Sequence, residues 1–278
     1  MMARFCHSGE ATARKARVGH FSRTPPGART SPMTQPATHA LTTIGFDADD
    51  TLWQNEQFFR MTEAHFAELL ADHAEQDHLM ERLLEAETRN LGHYGFGIKG
   101  FTLSMIETAI EVTDGKVPSA VIGKILAAGR EMLRHPVETL PHAGETLEAL
   151  AGSYTLVLIT KGDLFDQERK LAASGLGDHF DAVEIVSSKS MSTYQRIFSR
   201  HGAGAQSSMM IGNSLKSDVL PALEAGSWGV YIPHDLTWTF EHADRPDENP
   251  RFREMPDLSQ LLPLIDEIAS RSSPKHRI

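Results

Sequence analysis

Residues 41–53 read LTTIGFDADDTLW: an apolar run that breaks off into three carboxylates. Leu41, Ile44 and Phe46 with their β-branched neighbours have the length and character of a buried strand in a parallel sheet. Asp47, Asp49 and Asp50 crowded at the end of such a strand repel one another and lose solvation. A divalent cation that prefers oxygen ligands would relieve both effects. The plainer account is an acidic strand-to-loop turn, since Asp is common where strands end. The rest of the chain has to separate the two.

From Pro141 onward the pattern alternates between strand and helix. Apolar runs at 154–160 (YTLVLIT), 182–186 (AVEIV), 208–211 (SMMI) and 228–232 (WGVYI) are strands, and helices are expected over 143–151, 163–173, 190–201 and 215–225. Such alternation predicts right-handed βαβ crossovers and a parallel sheet with helices on both faces. In these sheets ligands bind beyond the carboxyl ends of the strands. The groups at those ends are Asp47 and Asp49, then Thr160 and Lys161, then Lys189, then Asn213 and Asp218. Carboxylates with Mg²⁺, plus a hydroxyl and ammonium groups aimed at phosphate oxygens, make a set suited to phosphoryl transfer. The tail from His234 carries no catalytic pattern, and a closing helix is expected over 258–268.

Residues 54–135 read as four helices without a strand, a helical module inserted after the first strand. Within it GFGIKG (95–100) matches a dinucleotide fingerprint, but RNLGHY at a helix end precedes it where a strand is required. It is read as a turn, with His93, Tyr94 and Lys99 as exposed turn residues in preference to cavity-lining ones. The core is expected to comprise 39–53 and 136–278. Residues 1–38 hold six Arg or Lys and one acid, Glu10, among Ser, Thr, Pro, Gly and Ala. That segment is expected to be a disordered extension, or a spurious one with translation starting at Met33, in preference to an organelle transit peptide.

Composition narrows the classes. A formal net charge of −10 argues against a general nucleic-acid binder. No apolar run approaches the roughly 20 residues that span a bilayer. The single Cys6 leaves no intramolecular disulfide or cysteine-rich zinc site, so a cytoplasmic setting is expected.

The motifs FDADDTL (46–52), LVLIT ending at Thr160, Lys189, and IGNSLKSD ending at Asp218 resemble, in order, those of the haloacid dehalogenase (HAD) superfamily. The resemblance spans about residues 41–232. It implies a Rossmann-like α/β fold with an inserted helical cap of the C1 type, and a Mg²⁺-dependent phosphatase of a small phosphorylated metabolite. Asp47 would be the nucleophile, Asp49 the acid and base, Thr160, Lys161 and Lys189 the phosphate-binding groups. Asp47, the Asp49 carbonyl, Asn213 and Asp218 would hold the metal. Asn213 departs from the family, which often has Asp there; an amide oxygen can ligate Mg²⁺ but brings no charge. Asp50 is expected to cap a helix. A phosphomutase, a metal-independent dehalogenase and a non-catalytic binding protein on the same fold are the alternatives. Asp49 weighs against dehalogenation, because dehalogenases lack that second acid.

Overall fold

The computed structural model describes residues 40–272. The expectation for residues 1–38 falls outside them. Six parallel strands form one sheet in the order β3-β2-β1-β4-β5-β6. They are β1 (Thr43–Phe46), β2 (Thr155–Lys161), β3 (Ala182–Val186), β4 (Ser208–Gly212), β5 (Trp228–Tyr231) and β6 (Phe252–Glu254). All four residues of β1 are buried, and the strand is flanked on both sides, with Gly45 opposite Val157 of β2 and Met210 of β4. The first five strands follow the apolar runs of the sequence. The sixth was missed: three residues cannot display a period-two pattern.

The helices divide into two groups. Between β1 and β2 stand α1 (Glu56–Leu69), α2 (Gln76–Tyr94), α3 (Ile98–Val112) and α4 (Ser119–Met132), followed by α5 (Ala143–Leu150). Helices α1–α4 bury a cluster of their own, which includes Phe66, Leu70, Leu79, Leu83, Phe101, Met105 and Ile125. On α2 the buried positions Leu79, Leu83, Ala86 and Asn90 recur at helical spacing, so one stripe faces inward. The chain leaves the sheet and returns to it through two paired linkers: Gln54 N donates to the Glu138 carbonyl at 2.9 Å and Leu140 N to the Leu52 carbonyl at 2.8 Å. Helix α2 runs through His93 and Tyr94, so the glycine turn shrinks to residues 95–97.

After β2 come α6 (Leu164–Ser174), α7 (Met191–His201), α8 (Leu220–Ala225) and α9 (Leu261–Ser272). Alternate strand residues point to opposite faces. Ile44, Phe46, Leu156, Leu158 and Ile211 pack with Leu147 and Leu150 of α5 and Leu261 and Ile265 of α9. Val157, Ile159 and Met210 pack on the other side with Tyr194, Ile197 and Phe198 of α7. Each such side chain contributes roughly 1.5–3 kcal/mol on burial. These layers make the α/β, Rossmann-like sandwich expected from the sequence. Residues 215–225, expected as one helix, divide into a single π turn, Leu215–Val219, and α8. Among the described residues no helix is long and apolar enough to cross a membrane.

Candidate functional site

Because all strands run parallel, their carboxyl ends share one edge, and the residues picked out in the sequence meet there. Asp47 follows β1, its N–H donating to the Ile211 carbonyl of β4 at 2.9 Å. Lys189, past the end of β3, donates to Asp47 Oδ1 and, at 2.6 Å, to Asp218 Oδ1. Asp218 Oδ2 accepts the Ser214 N–H at 3.0 Å. Gly212 is required at this point, because a Cβ there would lie 2.2 Å from Asp218 Oδ2. All three charged groups are buried. Burial and the neighbouring Asp218 push the Asp47 carboxyl up to about 7 against the opposing pull of Lys189. Lys189 is moved upward: desolvation works against its charge, but Asp218 and Asp47 together outweigh it. One ammonium between two carboxylates leaves a net negative charge in a desolvated place.

The Asn213 side-chain amide sits 3.2 Å from both Asp47 Oδ2 and the Asp49 backbone carbonyl, its NH₂ placed to donate to each. Rotating that amide would present its oxygen instead, beside two other oxygens. Among the described residues no three acidic, His or Cys side chains converge tightly enough to form a metal site by themselves. Any cation here would therefore rely on the Asp49 carbonyl and the Asn213 amide together with Asp47. Both Asp218 oxygens are already engaged, one with Lys189 and one with Ser214.

Asp49 is held on three sides. Its Oδ1 accepts from Trp53 Nε1 at 2.7 Å and from Lys170 Nζ at 2.6 Å, and its Oδ2 from Gln167 Nε2 at 3.2 Å. Thr160 is buried, and its hydroxyl accepts from Gln167 Nε2 at 2.7 Å. Lys161 is tied to Ser217 Oγ at 2.7 Å and to Glu241 at 2.5 Å, and lies over the Phe96 ring, 4.2 Å from its centre. Burial alone would raise the Glu241 carboxyl, but Lys161 with Ser214 and Ser217 holds it down at about 2. Asp50 accepts the N–H groups of Asn55 and Glu56 and so caps the start of α1.

A cavity of about 160 Å³ opens over these groups. Its floor is Asp47, Asp49, Thr160, Lys189 and Asn213; Phe59, Glu63, Glu87, Asn90, Phe96 and Phe101 from the helical segment form the opposite wall, and Trp238 and Glu241 close one side. Arg60 bridges Glu56 at 2.9 Å and Glu63 at 3.1 Å, and among the described residues Glu87 has no ion pair. Burial raises all three carboxyls, Glu56 to about 7 and Glu87 to about 8, the latter helped by Glu63 and Glu56.

A family model for haloacid dehalogenase-like hydrolases matches residues 41–226. The chain belongs to the haloacid dehalogenase-like hydrolases. A solved hydrolase of that family from Xanthomonas campestris is 41% identical, with 87% of this chain and 97% of that one covered and a TM-score of 0.76. Two more distant structures share the fold. The HAD-hydrolase YfnB from Bacillus subtilis, solved bound to magnesium, is 17% identical over 82% of this hydrolase and 100% of its own chain, at a TM-score of 0.57. A 2-haloacid dehalogenase from Pseudomonas syringae pv. Tomato is 23% identical over 84% and 100%, at a TM-score of 0.53. No curated protein matches this hydrolase.

The structure of this hydrolase adds residues that the sequence did not single out. Gln167 and Lys170 lie three apart on α6, just beyond Thr160, a spacing that could have marked them as one face of the helix next to a strand end. Glu241 gave no signal: it is one of several acids in a tail without periodicity, yet it anchors Lys161. His93, Tyr94 and Lys99 do not line the cavity. Lys99 pairs with Asp163 at 2.9 Å, and the turn contributes Gly95, Phe96 and Gly97 to the cavity.

Proposed function

We propose that this hydrolase is a phosphomonoesterase that transfers a phosphoryl group to Asp47 and then to water. The observation that carries this reading is the Asp49 carboxyl, held at the cavity two residues beyond Asp47. A departing alkoxide needs a proton, whereas a departing halide does not. A fixed second acid therefore has a use in ester cleavage and none in dehalogenation.

The ionised Asp47 attacks phosphorus, the ester P–O bond breaks, and Asp49 gives its proton to the leaving oxygen. In the second half a water, giving its proton to Asp49, attacks the acyl phosphate. The bond from phosphorus to Asp47 breaks, releasing inorganic phosphate and restoring the carboxylate. Lys189 offsets charge on the phosphoryl oxygens, and the Thr160 hydroxyl with strand-end N–H groups orients them. Asp47, the Asp49 carbonyl and the Asn213 amide, turned to present its oxygen, would hold Mg²⁺, while Asp218 stays with Lys189 and Ser214; the donor set fits: oxygens with one net negative charge left uncompensated by Lys189. When bound, the cation supplies Lewis-acid neutralisation of the phosphoryl charge.

The helical segment would serve as the cap over the substrate, and the small cavity suits a metabolite better than a macromolecule. The acidic wall of Glu56, Glu63 and Glu87 disfavours a second anionic group on the substrate and favours hydroxyl or ammonium donors. Purified protein should release phosphate from p-nitrophenyl phosphate only with Mg²⁺, and Asp47→Asn should abolish turnover while its circular dichroism stays native. Retained turnover in Asp47→Asn would remove Asp47 from the role of nucleophile.

A further inference from the structure

We infer that Gln167 and Lys170, on one face of α6, are positioning residues that fix the Asp49 carboxylate for protonation of the leaving group. The inference rests on the phosphomonoesterase reading and specifies how its acid is placed. Asp49 is on a loop, and its side chain is about a quarter exposed. Left to itself, such a carboxylate would sample several rotamers. Here donors reach both of its oxygens, which fixes the plane of the group as well as its position.

The two donors from α6 do more than fill space. The Gln167 amide that bonds Asp49 Oδ2 also bonds the Thr160 hydroxyl, so one group sets the distance between the acid and the phosphate-binding edge. Gly162 makes that reach possible, since a Cβ there would come within 3.1 Å of Gln167. Lys170 is buried, and besides Asp49 its ammonium meets Asn55 Oδ1 at 3.1 Å, immediately before α1. It thereby ties the acid to the residue that precedes the first helix of the inserted segment. Asp166, the nearest further acid at 3.8 Å, is itself held by Arg169 at 2.9 Å. Asp49 thus receives the shortest bond that Lys170 makes.

General acid catalysis requires the acid to be within hydrogen-bond reach of the leaving oxygen, and a displacement of about 1 Å can lower a rate about a hundredfold. The effect should therefore scale with the need for a proton. The test uses the full-length protein with Mg²⁺ and a series of phosphomonoesters, from 2,4-dinitrophenyl through p-nitrophenyl and phenyl to simple alkyl phosphates. The readout is kcat/KM, which reports steps up to formation of the phosphoenzyme. For Lys170→Met and Gln167→Met we expect less than about threefold loss on the dinitrophenyl ester and roughly thirty- to a hundredfold loss on phenyl and alkyl esters. Lys170→Arg should recover most of the loss, and Asp49→Asn should show the same slope more steeply. Circular dichroism and urea midpoints identify a variant that fails to fold, in which case the other α6 variant carries the same prediction. An equal loss on every ester, or none, would overturn the inference while leaving the phosphomonoesterase reading intact. A wild type inactive on the whole series would overturn both.

Discussion

Glu87 offers a test of the cavity wall that is independent of turnover. Its carboxyl lies half-buried on α2 beside Glu63 and Glu56, which Arg60 serves, and is raised from 4.5 to about 8. Between those values the folded chain keeps a proton that the unfolded chain releases. The stability associated with this group is therefore fully present below about pH 4.5 and is lost as pH rises through about 8. Glu87→Gln keeps the shape and removes the titration. At about 1.4 kcal/mol for each tenfold change in proton affinity, the interval sets a ceiling near 5 kcal/mol. Because the cavity admits water, the expected effect is on the order of 2 kcal/mol. Urea denaturation of both proteins at pH 5.5, 7 and 9, with m held common, would measure it. The variant should gain on the wild type from pH 5.5 to about 8 and hold a constant advantage from there to pH 9. Parallel stability curves across the range would refute the reasoning.

Three further outcomes are expected. Mg²⁺ at about ten times its dissociation constant should stabilise the protein by about 1.4 kcal/mol in a thermal-shift experiment, and Asn213→Ala should weaken that stabilisation. Phosphomonoesters bearing a hydroxyl-rich or ammonium group should show higher kcat/KM in a substrate panel than esters of similar size bearing a second carboxylate or phosphate. Phe96→Ala, which removes the ring lying between Lys161 and Trp238, should lower kcat/KM by about five- to thirtyfold, chiefly through KM, in steady-state assays.

The strand-end chemistry was legible because it depends on local pattern and one topological rule. Apolar runs place β1, β2, β3 and β4, parallel pairing puts their carboxyl ends on one edge, and Asp47, Thr160, Lys189 and Asp218 follow from that. What was hidden depends on packing between distant segments. Glu63 and Glu87 look like the solvated face of amphipathic helices, and only the fold of α1 against α2 turns them towards the cavity. Glu241 meets Lys161 across 80 residues of sequence. The three hydrogen bonds on Asp49 come from Trp53, Gln167 and Lys170; spacing can put the last two on one helix face, but that this face meets Asp49 follows only from the packing of α6. Asn213 stood out in the sequence as a departure from the family, and its contact with two acceptor oxygens emerges only from the coordinates.

The central position of β1 has a consequence during synthesis on the ribosome. The strand that leads to Asp47 emerges first, but its neighbours, β2 and β4, begin at Thr155 and Ser208. At about 5–20 residues per second, Thr43–Phe46 waits roughly 5–20 s for its first partner. During that wait the four helices that follow can close around their own apolar cluster. The order of emergence thus lets the helical segment mature before the sheet it interrupts, and leaves a short apolar strand as the segment most in need of shielding in the nascent chain.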